Sequence, residues 1–234
     1  MNWFSTDFPL RRYLIIDIET VPAAASWSAL SPAWQKLWSE KAAHQLPQCN
    51  PEQAYDQRAG IWAEFGRVIC IGLGYFSHDH PRPKFHHLAL TDTDERKLLL
   101  RFIAWLEAHQ HRSPNWIWCG HHIREFDLPF LCRRMLANQL SIPDFLDFQS
   151  SKPWDQRVAD TFQGWRFGDH KHFTSLALLS AVLGLPSSKA EMAGSDVARV
   201  FKEPGGLDRI SSYCLEDVRA VAEILQRFRG EPVS

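Results

Sequence analysis

The order of strand-like and helix-like segments is the feature that most constrains the fold. Residues 13–20 ("YLIIDIET") and 68–76 are short and rich in β-branched residues, and residues 84–90 form a weaker third strand candidate. Further strand candidates at residues 115–120 and 157–162 alternate with segments of helical spacing, which include 91–110, 125–138, 175–184 and 207–228. Three consecutive strands predict a meander. The order as a whole predicts an α/β fold, a mixed five-stranded sheet flanked by helices.

Residues 22–66 do not fit that scheme, because some 45 residues are too many for a hairpin turn between the first two strands. Ser31-Pro32 and Asn50-Pro51 each resemble a helix cap followed by proline in the first turn, which predicts a helical insertion. The insertion holds four of the ten tryptophans: Trp27, Trp34, Trp38 and Trp62. Helical spacing predicts Trp34, Leu37 and Trp38 on one face. These aromatic residues either attach the insertion to the sheet or offer a stacking surface for a nucleic-acid strand.

Length and composition limit the class of protein. The chain has 234 residues and 45% hydrophobic residues, which predicts one domain covering 1–234. No apolar run reaches the roughly 18 residues of a membrane span, and the N-terminus lacks the pattern of a signal peptide. Five scattered cysteines predict reduced thiols, so we expect a cytoplasmic protein that does not bind membranes. A net charge of -1 argues against wrapping a duplex, so capture of any nucleic acid must be local.

Two carboxylates, Asp17 and Glu19, end the first strand. Side chains alternate along a strand, so both project to the same side, about 7 Å apart along the chain. Two ionised carboxylates repel each other and are costly to bury unless a cation lies between them, and a hard divalent ion such as Mg²⁺ takes oxygen ligands. The simpler explanation is that both acids extend into water beyond the strand.

Two later segments also carry candidate functional residues. In "YCLEDV", Tyr213 and Asp217 are four residues apart and therefore on one face of a helix. In "GHHIREFDLPFL", Asp127 precedes Pro129 at the opening of a helix. Ordinary packing would explain the first pair and a helix cap would explain Asp127. Each segment alone is therefore weak evidence for a site.

Together and in this order, "DIET", "HHIREFD" and "YCLED" resemble the three motifs of the DEDD superfamily of 3′–5′ exonucleases, which have a ribonuclease H-like fold. The tyrosine four residues before the last aspartate is similar to the DEDDy branch. The resemblance is closest to stand-alone bacterial proteins that are predicted exonucleases related to the proofreading domain of family B DNA polymerases. It extends to "AEFGRVICIGLGYF", "SLALLSAVLGLP" and "GSDVARVF", and so covers most of the chain.

The resemblance implies a two-metal mechanism with two divalent cations, Mg²⁺ or Mn²⁺. It implies that Asp17, Glu19 and Asp217 hold the first ion. Asp17 would bridge to the second ion, which Asp127 would reach directly or through water. Tyr213 would orient the attacking water, because a phenol with a pKa near 10 is a poor base unaided. The expected products are nucleoside monophosphates released from the 3′ end of single-stranded DNA or RNA, with DNA favoured.

Family analogy also implies contacts to the terminal nucleotide. The backbone around Ile18 to Thr20 would meet the 3′ end, and Phe126 would pack against sugar or base. The second motif usually carries asparagine where this chain has His122, which could still donate a hydrogen bond to the substrate in a pH-dependent way. Asp160, in "VADT", is expected to be a supporting or structural acid.

Other functions were weighed against this one. Histidine pairs at 78/80, 86/87, 109/111, 121/122 and 170/172 could bind zinc, but they lie on different predicted elements without a zinc spacing. "GLG" at residues 72–74 lies inside a strand, which indicates close packing instead of a dinucleotide site. A non-catalytic binding or scaffold module with the same fold remains the alternative. Proofreading would require a separate polymerase or repair partner, because we expect no polymerase domain to be fused.

Overall fold

The computed structural model describes residues 2–77, 83–109, 116–149, 152, 155–186 and 192–233. The strands are β1 (Tyr13–Pro22), β2 (Gly66–Phe76), β3 (Phe85–Thr91), β4 (Ile117–Gly120) and β5 (Val158–Asp160). The helices are α1 (Pro32–Gln45), α2 (Pro51–Arg58), α3 (Glu95–His109), α4 (Asp127–Ala137), α5 (Thr161–Arg166), α6 (Leu176–Val182), α7 (Val197–Val200) and α8 (Gly206–Phe228). None of the described helices is both long and apolar enough to cross a membrane.

The five strands form one mixed sheet in the order β3-β2-β1-β4-β5. The first three strands pair antiparallel, while β4 and β5 run parallel to β1 and to each other. This arrangement confirms the predicted meander and the ribonuclease H-like α/β fold. β1 is the central strand, and its pairing with β4 ends at Ile15 and Cys119. Beyond that point, within the described residues, no strand covers this edge of β1.

Helices cover both faces of the sheet. On one face, Leu14, Ile16 and Ile18 of β1 pack with Leu98 of α3 and Leu131 of α4. On the opposite face, Tyr13 and Ile15 pack with α8, through residues that include Val218, Val221 and Leu225. Both sets alternate along β1 because successive side chains of a strand point to opposite faces. The central strand is therefore buried on both faces, which fixes its backbone.

The predicted helical insertion between β1 and β2 is present and contains α1 and α2. Asn50 caps α2 by accepting a hydrogen bond from the Gln53 amide, whereas Ser31 precedes α1 without a side-chain capping bond. The insertion has its own small core around Trp38, Tyr55 and Phe65, against which Trp27 and Trp62 also pack. The aromatic residues therefore pack mainly against one another.

Trp34, Leu37 and Trp38 of α1 differ in burial, although helical spacing places them on one face. Trp38 is fully buried, but Trp34 is 46% exposed and Leu37 is 51% exposed. Only a narrow side of α1 meets the aromatic core, so residues at helical spacing differ in burial.

A buried ion pair joins α3 to α4. Arg134 donates through Nε and Nη2 to the carboxylate of Glu95, with the shortest contact at 2.6 Å. Asn138 and the backbone amide of Val68 also donate to Glu95, and Arg134 donates to the carbonyl of Ala63 at the end of the insertion. We call Glu95, Arg134 and Asn138 the Glu95 network. It ties two helices, β2 and the insertion together.

Candidate active site

β1 positions Asp17 and Glu19 on the face of the sheet that packs against α8. In the pairing with β2, Asp17 lies opposite Gly72 and Glu19 lies opposite Cys70. Glu19 is only 7% exposed and Asp17 is half-buried. A β-bulge follows directly, between Glu19 and Thr20. The two acids therefore do not extend into water at a strand end, which removes the simpler explanation for this pair.

Asp127 begins α4 and lies 4% exposed beside the open edge of β1. Its Oδ1 accepts a hydrogen bond of 3.0 Å from the backbone amide of Ile18. That amide has no strand partner on this side, because β4 has already ended. Ile18 lies between Asp17 and Glu19 in β1, so this hydrogen bond holds the Asp127 carboxylate next to the part of the strand that carries both acids. The contact explains the presence of an aspartate at position 127 better than a helix cap does.

Helix α8 brings Tyr213 and Asp217 to the same place. Both are half-buried, and the Tyr213 hydroxyl is within hydrogen-bonding reach of the Asp217 carboxylate. Burial is the largest cause that raises the pKa of Tyr213, followed by the charges of Asp217, Glu19 and Asp17. The phenol therefore contacts Asp217 and lies within the electrostatic reach of Glu19 and Asp17.

Two glycines let α8 lie close to the sheet. A Cβ atom at Gly72 would lie 2.7 Å from Cys214 Sγ and 2.8 Å from Val218 Cγ2. A Cβ atom at Gly74 would lie 2.7 Å from Val218 Cγ1. Cβ atoms are not found at such distances, so "GLG" is a close-packing motif, as the sequence indicated. The close approach places the helix bearing Asp217 against the strand bearing Asp17.

We call Asp17, Glu19, Asp127 and Asp217 the carboxylate cluster, because, after burial, charges within this set raise the pKa of Asp17, Glu19 and Asp127. Burial and then the charges of Asp127 and Asp217 raise the pKa of Asp17, and burial and then the charges of Asp17 and Asp217 raise that of Glu19. Burial is also the largest cause that raises the pKa of Asp127 to about 7 and that of Asp217 to about 6. The structure thus brings together four acids from three elements.

The donor set fits a divalent metal. Oxygens of Asp17 and Glu19 and the sulfur of Cys214 lie within 4.8 Å of one another, the one such group of potential ligands among the described residues. Asp17 Oδ2 is buried and has no hydrogen-bond partner among the residues that the structure describes. A buried carboxylate oxygen without a donor costs free energy, and a cation at this position would compensate for it.

The predicted substrate contacts surround the carboxylate cluster. Ile18 is buried between Asp17 and Glu19, and Thr20 is half-buried after the bulge. Phe126 is half-buried next to Asp127, with its ring 5.4 Å from that of Phe130. His122 lies in the loop before α4 and packs edge-to-face on Phe162 at 4.8 Å.

The backbone at His122 explains why asparagine would suit this position. His122 has a φ of 66°, in the left-handed region that asparagine, aspartate and histidine enter more readily than most residues. Its backbone amide donates to Asp160 Oδ1 at 2.9 Å. Its Nδ1 atom is buried without a partner in the described part of the chain.

Asp160 organises the loop that leads to Asp127. Its carboxylate accepts hydrogen bonds from the backbone amides of His122, Arg124, Phe162 and Gln163. Two of these amides belong to the first turn of α5, which Asp160 caps, and two belong to the loop after β4. Asp160 therefore has a structural role beside the carboxylate cluster.

The histidine pairs do not form a zinc site within the described residues. His121 bonds to Thr161 Oγ1 and to the carbonyl of Thr174, and His109 stacks on Trp105 at 4.2 Å. His172 contacts Asp169 at 3.0 Å on the surface. His78, His80 and His111 lie outside the described residues.

Two features near the site were missed by the sequence reasoning. Cys214 lies on α8 with its thiol donating to the Asp17 carbonyl at 3.6 Å, and it is fully buried. Its spacing from Ile210 and Val218 follows the apolar stripe of α8 and could have indicated that it faces the sheet. The Glu95 network was missed as well, and no local pattern indicates it. All five cysteines are free thiols.

Comparison with known proteins agrees with this geometry. A family model described as "Predicted 3'-5' exonuclease related to the exonuclease domain of PolB" matches residues 61–223. The matched range contains Asp127, Tyr213 and Asp217 and begins after Asp17 and Glu19. A DNA polymerase of Pyrococcus glycovorans is 27% identical over 150 residues, which cover 58% of this chain and 18% of the polymerase. The chain thus spans less than a fifth of that relative's length. Because the family model covers more than two thirds of the chain, the protein belongs to the family of predicted 3′–5′ exonucleases related to the exonuclease domain of PolB.

Proposed function

We propose that this protein is a metal-dependent 3′–5′ exonuclease of the DEDDy type, which removes nucleoside monophosphates from the 3′ end of single-stranded nucleic acid. The observation that carries the proposal is the carboxylate cluster, four acids from β1, α4 and α8 whose pKa values are all raised, first by burial and, for Asp17, Glu19 and Asp127, also by charges within the cluster. DNA is favoured over RNA as the substrate, because the polymerase relative is described as a DNA polymerase.

The proposed cofactors are two divalent cations, Mg²⁺ or Mn²⁺. Asp17, Glu19 and Asp217 would hold one ion, and Asp17 and Asp127 would hold the other. When bound, the cations supply positive charge to the scissile phosphodiester and to the attacking water. Asp17 Oδ2, buried and without a hydrogen-bond partner in the described part of the chain, supports Asp17 as the shared ligand.

Tyr213 is proposed to orient the attacking water. The pKa of this phenol is raised above its ordinary value by burial and by the neighbouring acids, so it stays protonated at neutral pH. A protonated phenol does not act as a base, and with its O–H directed at the Asp217 carboxylate its oxygen can accept a hydrogen bond from the water. Tyr213 would therefore fix the position of the water without removing its proton.

The residues proposed to bind the terminal nucleotide are Ile18, Thr20, His122 and Phe126. The backbone at Ile18 and Thr20 borders the carboxylates, Phe126 offers a half-buried ring for the sugar or base, and the half-buried His122 lies in the loop that leads to Asp127. We also propose that the protein acts in the cytoplasm, where free thiols persist, and that any proofreading uses a separate polymerase or repair partner.

The test is incubation with 5′-labelled single-stranded DNA and RNA in Mg²⁺, Mn²⁺ or chelator. We expect a metal-dependent ladder that shortens from the 3′ end, with faster shortening of DNA. Asp17→Ala should slow it about 10³-fold or more, because several kcal/mol of transition-state stabilisation depend on the metal. Asp56→Ala, at an exposed aspartate of α2, is the matched control and should leave the rate unchanged. No ladder with any metal would contradict the proposal and favour a non-catalytic scaffold.

A further inference from the structure

An open groove of about 780 Å³ lies between the insertion and α4. Its walls include Ala23 and Trp34 on the insertion side and Arg133 on the α4 side. Neither the three motifs nor the proposed chemistry assigns a role to this groove.

The groove lies near the candidate active site, because α4 borders both and the insertion that forms the other wall follows directly from β1. β1 carries Glu19 and leads to Ala23, about 13 Å further along an extended chain. α4 begins at Asp127 and reaches Arg133 after about 9 Å of helix. A strand that ends at the carboxylates and follows the uncovered edge of β1 would enter the groove after about three nucleotides at the ~3.4 Å spacing of stacked bases.

Trp34 offers an aromatic surface inside the groove. It is 46% exposed, whereas Trp38 one turn later is fully buried in the core of the insertion. The Trp34 ring packs edge-to-face against Phe65 at 5.6 Å, which holds it in place. An immobilised, half-exposed indole is the kind of platform on which unpaired bases stack.

Arg133 supplies the positive charge of the groove. It is exposed and forms no ion pair among the described residues, although its positive charge acts on Glu64 of the same groove. The other charges of the walls are compensated, since Glu64 pairs with Lys41 at 2.9 Å and Arg134 pairs with Glu95. An exposed guanidinium in the same groove as an aromatic ring suits a phosphate flanked by a stacked base.

We propose that this groove binds the single-stranded segment that precedes the 3′ nucleotide, with Trp34 stacking on a base and Arg133 contacting a phosphate. The inference rests on the proposed exonuclease function and assigns the upstream substrate contacts, which determine how strongly long strands are preferred over short ones. Local capture by one aromatic ring and one cation is compatible with a net charge of -1.

The experiment compares a strand of roughly 12 nucleotides, long enough to fill such a groove, with a dinucleotide that cannot reach it. In Trp34→Ala, the loss of kcat/KM on the long strand should exceed the loss on the dinucleotide at least about fivefold, through KM. Trp34→Phe, which keeps an aromatic face, should recover most of that loss. Arg133→Ala should reduce the salt dependence of strand affinity by about 0.7 in the slope of log K against log salt.

The controls are Leu37→Ala, equally exposed on α1 outside the groove, and Arg96→Ala, an exposed arginine of α3. Both should match the wild type on both substrates. Affinity for the labelled long strand is also measured by fluorescence anisotropy in chelator, which separates groove binding from turnover. Equal losses on both substrates with unchanged affinity would overturn the inference and leave the nuclease intact. Strand binding that depends on Trp34 without any cleavage would support the groove and contradict the proposed function.

Discussion

Glu95 is buried beside a cation, whereas the buried and half-buried acids of the carboxylate cluster have no ion-pair partner among the described residues. Arg134, Asn138 and the Val68 amide all donate to Glu95. Around Asp17 and Glu19, the groups that shift the pKa are other acids and thiols. A buried charge without a partner costs free energy, so the Glu95 network depends on keeping its cation, whereas the carboxylate cluster destabilises the metal-free fold. An uncompensated acid cluster inside a folded domain therefore indicates a binding site for a cation that the chain itself does not supply.

The largest effect expected from this comparison is in the Glu95 network. Arg134→Ala leaves the Glu95 carboxylate buried without a counterion, which should reduce the free energy of unfolding by about 3–5 kcal/mol. Denaturant unfolding measures the change. The neighbouring Arg133→Ala, at an exposed site, should stay within about 0.5 kcal/mol of the wild type. Equal losses of unfolding free energy in the two variants would mean that Arg134 contributes no more to stability than an exposed arginine does.

A change of the opposite sign is expected in the carboxylate cluster. Asp127→Asn keeps the acceptor for the Ile18 amide but removes a buried charge, so the metal-free protein at pH 8 should gain about 1–3 kcal/mol. The same variant should lose exonuclease activity.

Asp160→Asn is the matched control for Asp127→Asn. Its carboxylate is satisfied by four backbone amides, and an amide group would place its NH₂ against one of these donors. This control should therefore be destabilised. A loss of stability in both variants would show that the two aspartates are equivalent.

The pH dependence of stability should reveal the destabilisation by the carboxylate cluster without any mutation. Asp127 and Asp217 have pKa values of about 7 and about 6 in the folded protein, above the ordinary 3.8, so the folded state binds protons more tightly than the unfolded one. Their contribution to stability is full below about pH 4 and is lost as the pH rises through 6 to 7. In chelator, raising the pH from 5 to 8 should lower Tm by several degrees.

Divalent ions should reverse that pH effect. Mn²⁺ should raise Tm at pH 8 and change it little at pH 5, where protons occupy the acids. Thermal unfolding in matched buffers measures both. A Tm that is independent of pH in chelator, or a Mn²⁺ effect of equal size at both pH values, would contradict the picture of competing protons and metal.

The smallest effect is expected for Tyr213, an uncharged neighbour of the cluster. Tyr213→Phe should lower kcat about tenfold, equivalent to about 1.4 kcal/mol, because the attacking water loses an orienting hydrogen bond. Mn²⁺ affinity, measured by calorimetry, should change much less. An unchanged kcat would exclude the orienting role, and a large loss of Mn²⁺ affinity would make Tyr213 part of the metal site.

The sequence predicted the elements whose signals are local. β-branched runs located the five strands, helical spacing located α8 within a residue, and the motif residues Asp17, Glu19, Asp127, Tyr213 and Asp217 converge in space. The sequence predicted that "GLG" allows close packing, and the structure shows that Gly72 and Gly74 make room for Cys214 and Val218 of α8. The roles of the five motif residues remain predictions until activity is measured.

The features that escaped prediction depend on contacts between distant segments. Glu95 and Arg134 are 39 residues apart, and each alone resembles a solvated helix residue. Trp34 and Trp38 have the same spacing signal, yet only the second meets α2. Helical periodicity gives the direction of a side chain and not how far the opposing surface extends.

The two glycines of β2 indicate one way in which such a protein can lose activity. Gly72 and Gly74 carry no chemistry, yet they set the thickness of the layer between the central sheet and α8. Ligands to a pair of small cations must be placed to a fraction of an ångström, so the placement of Asp217 depends on two missing methyl groups. We therefore expect some inactive natural variants to keep every acid and to carry a larger residue at Gly72 or Gly74.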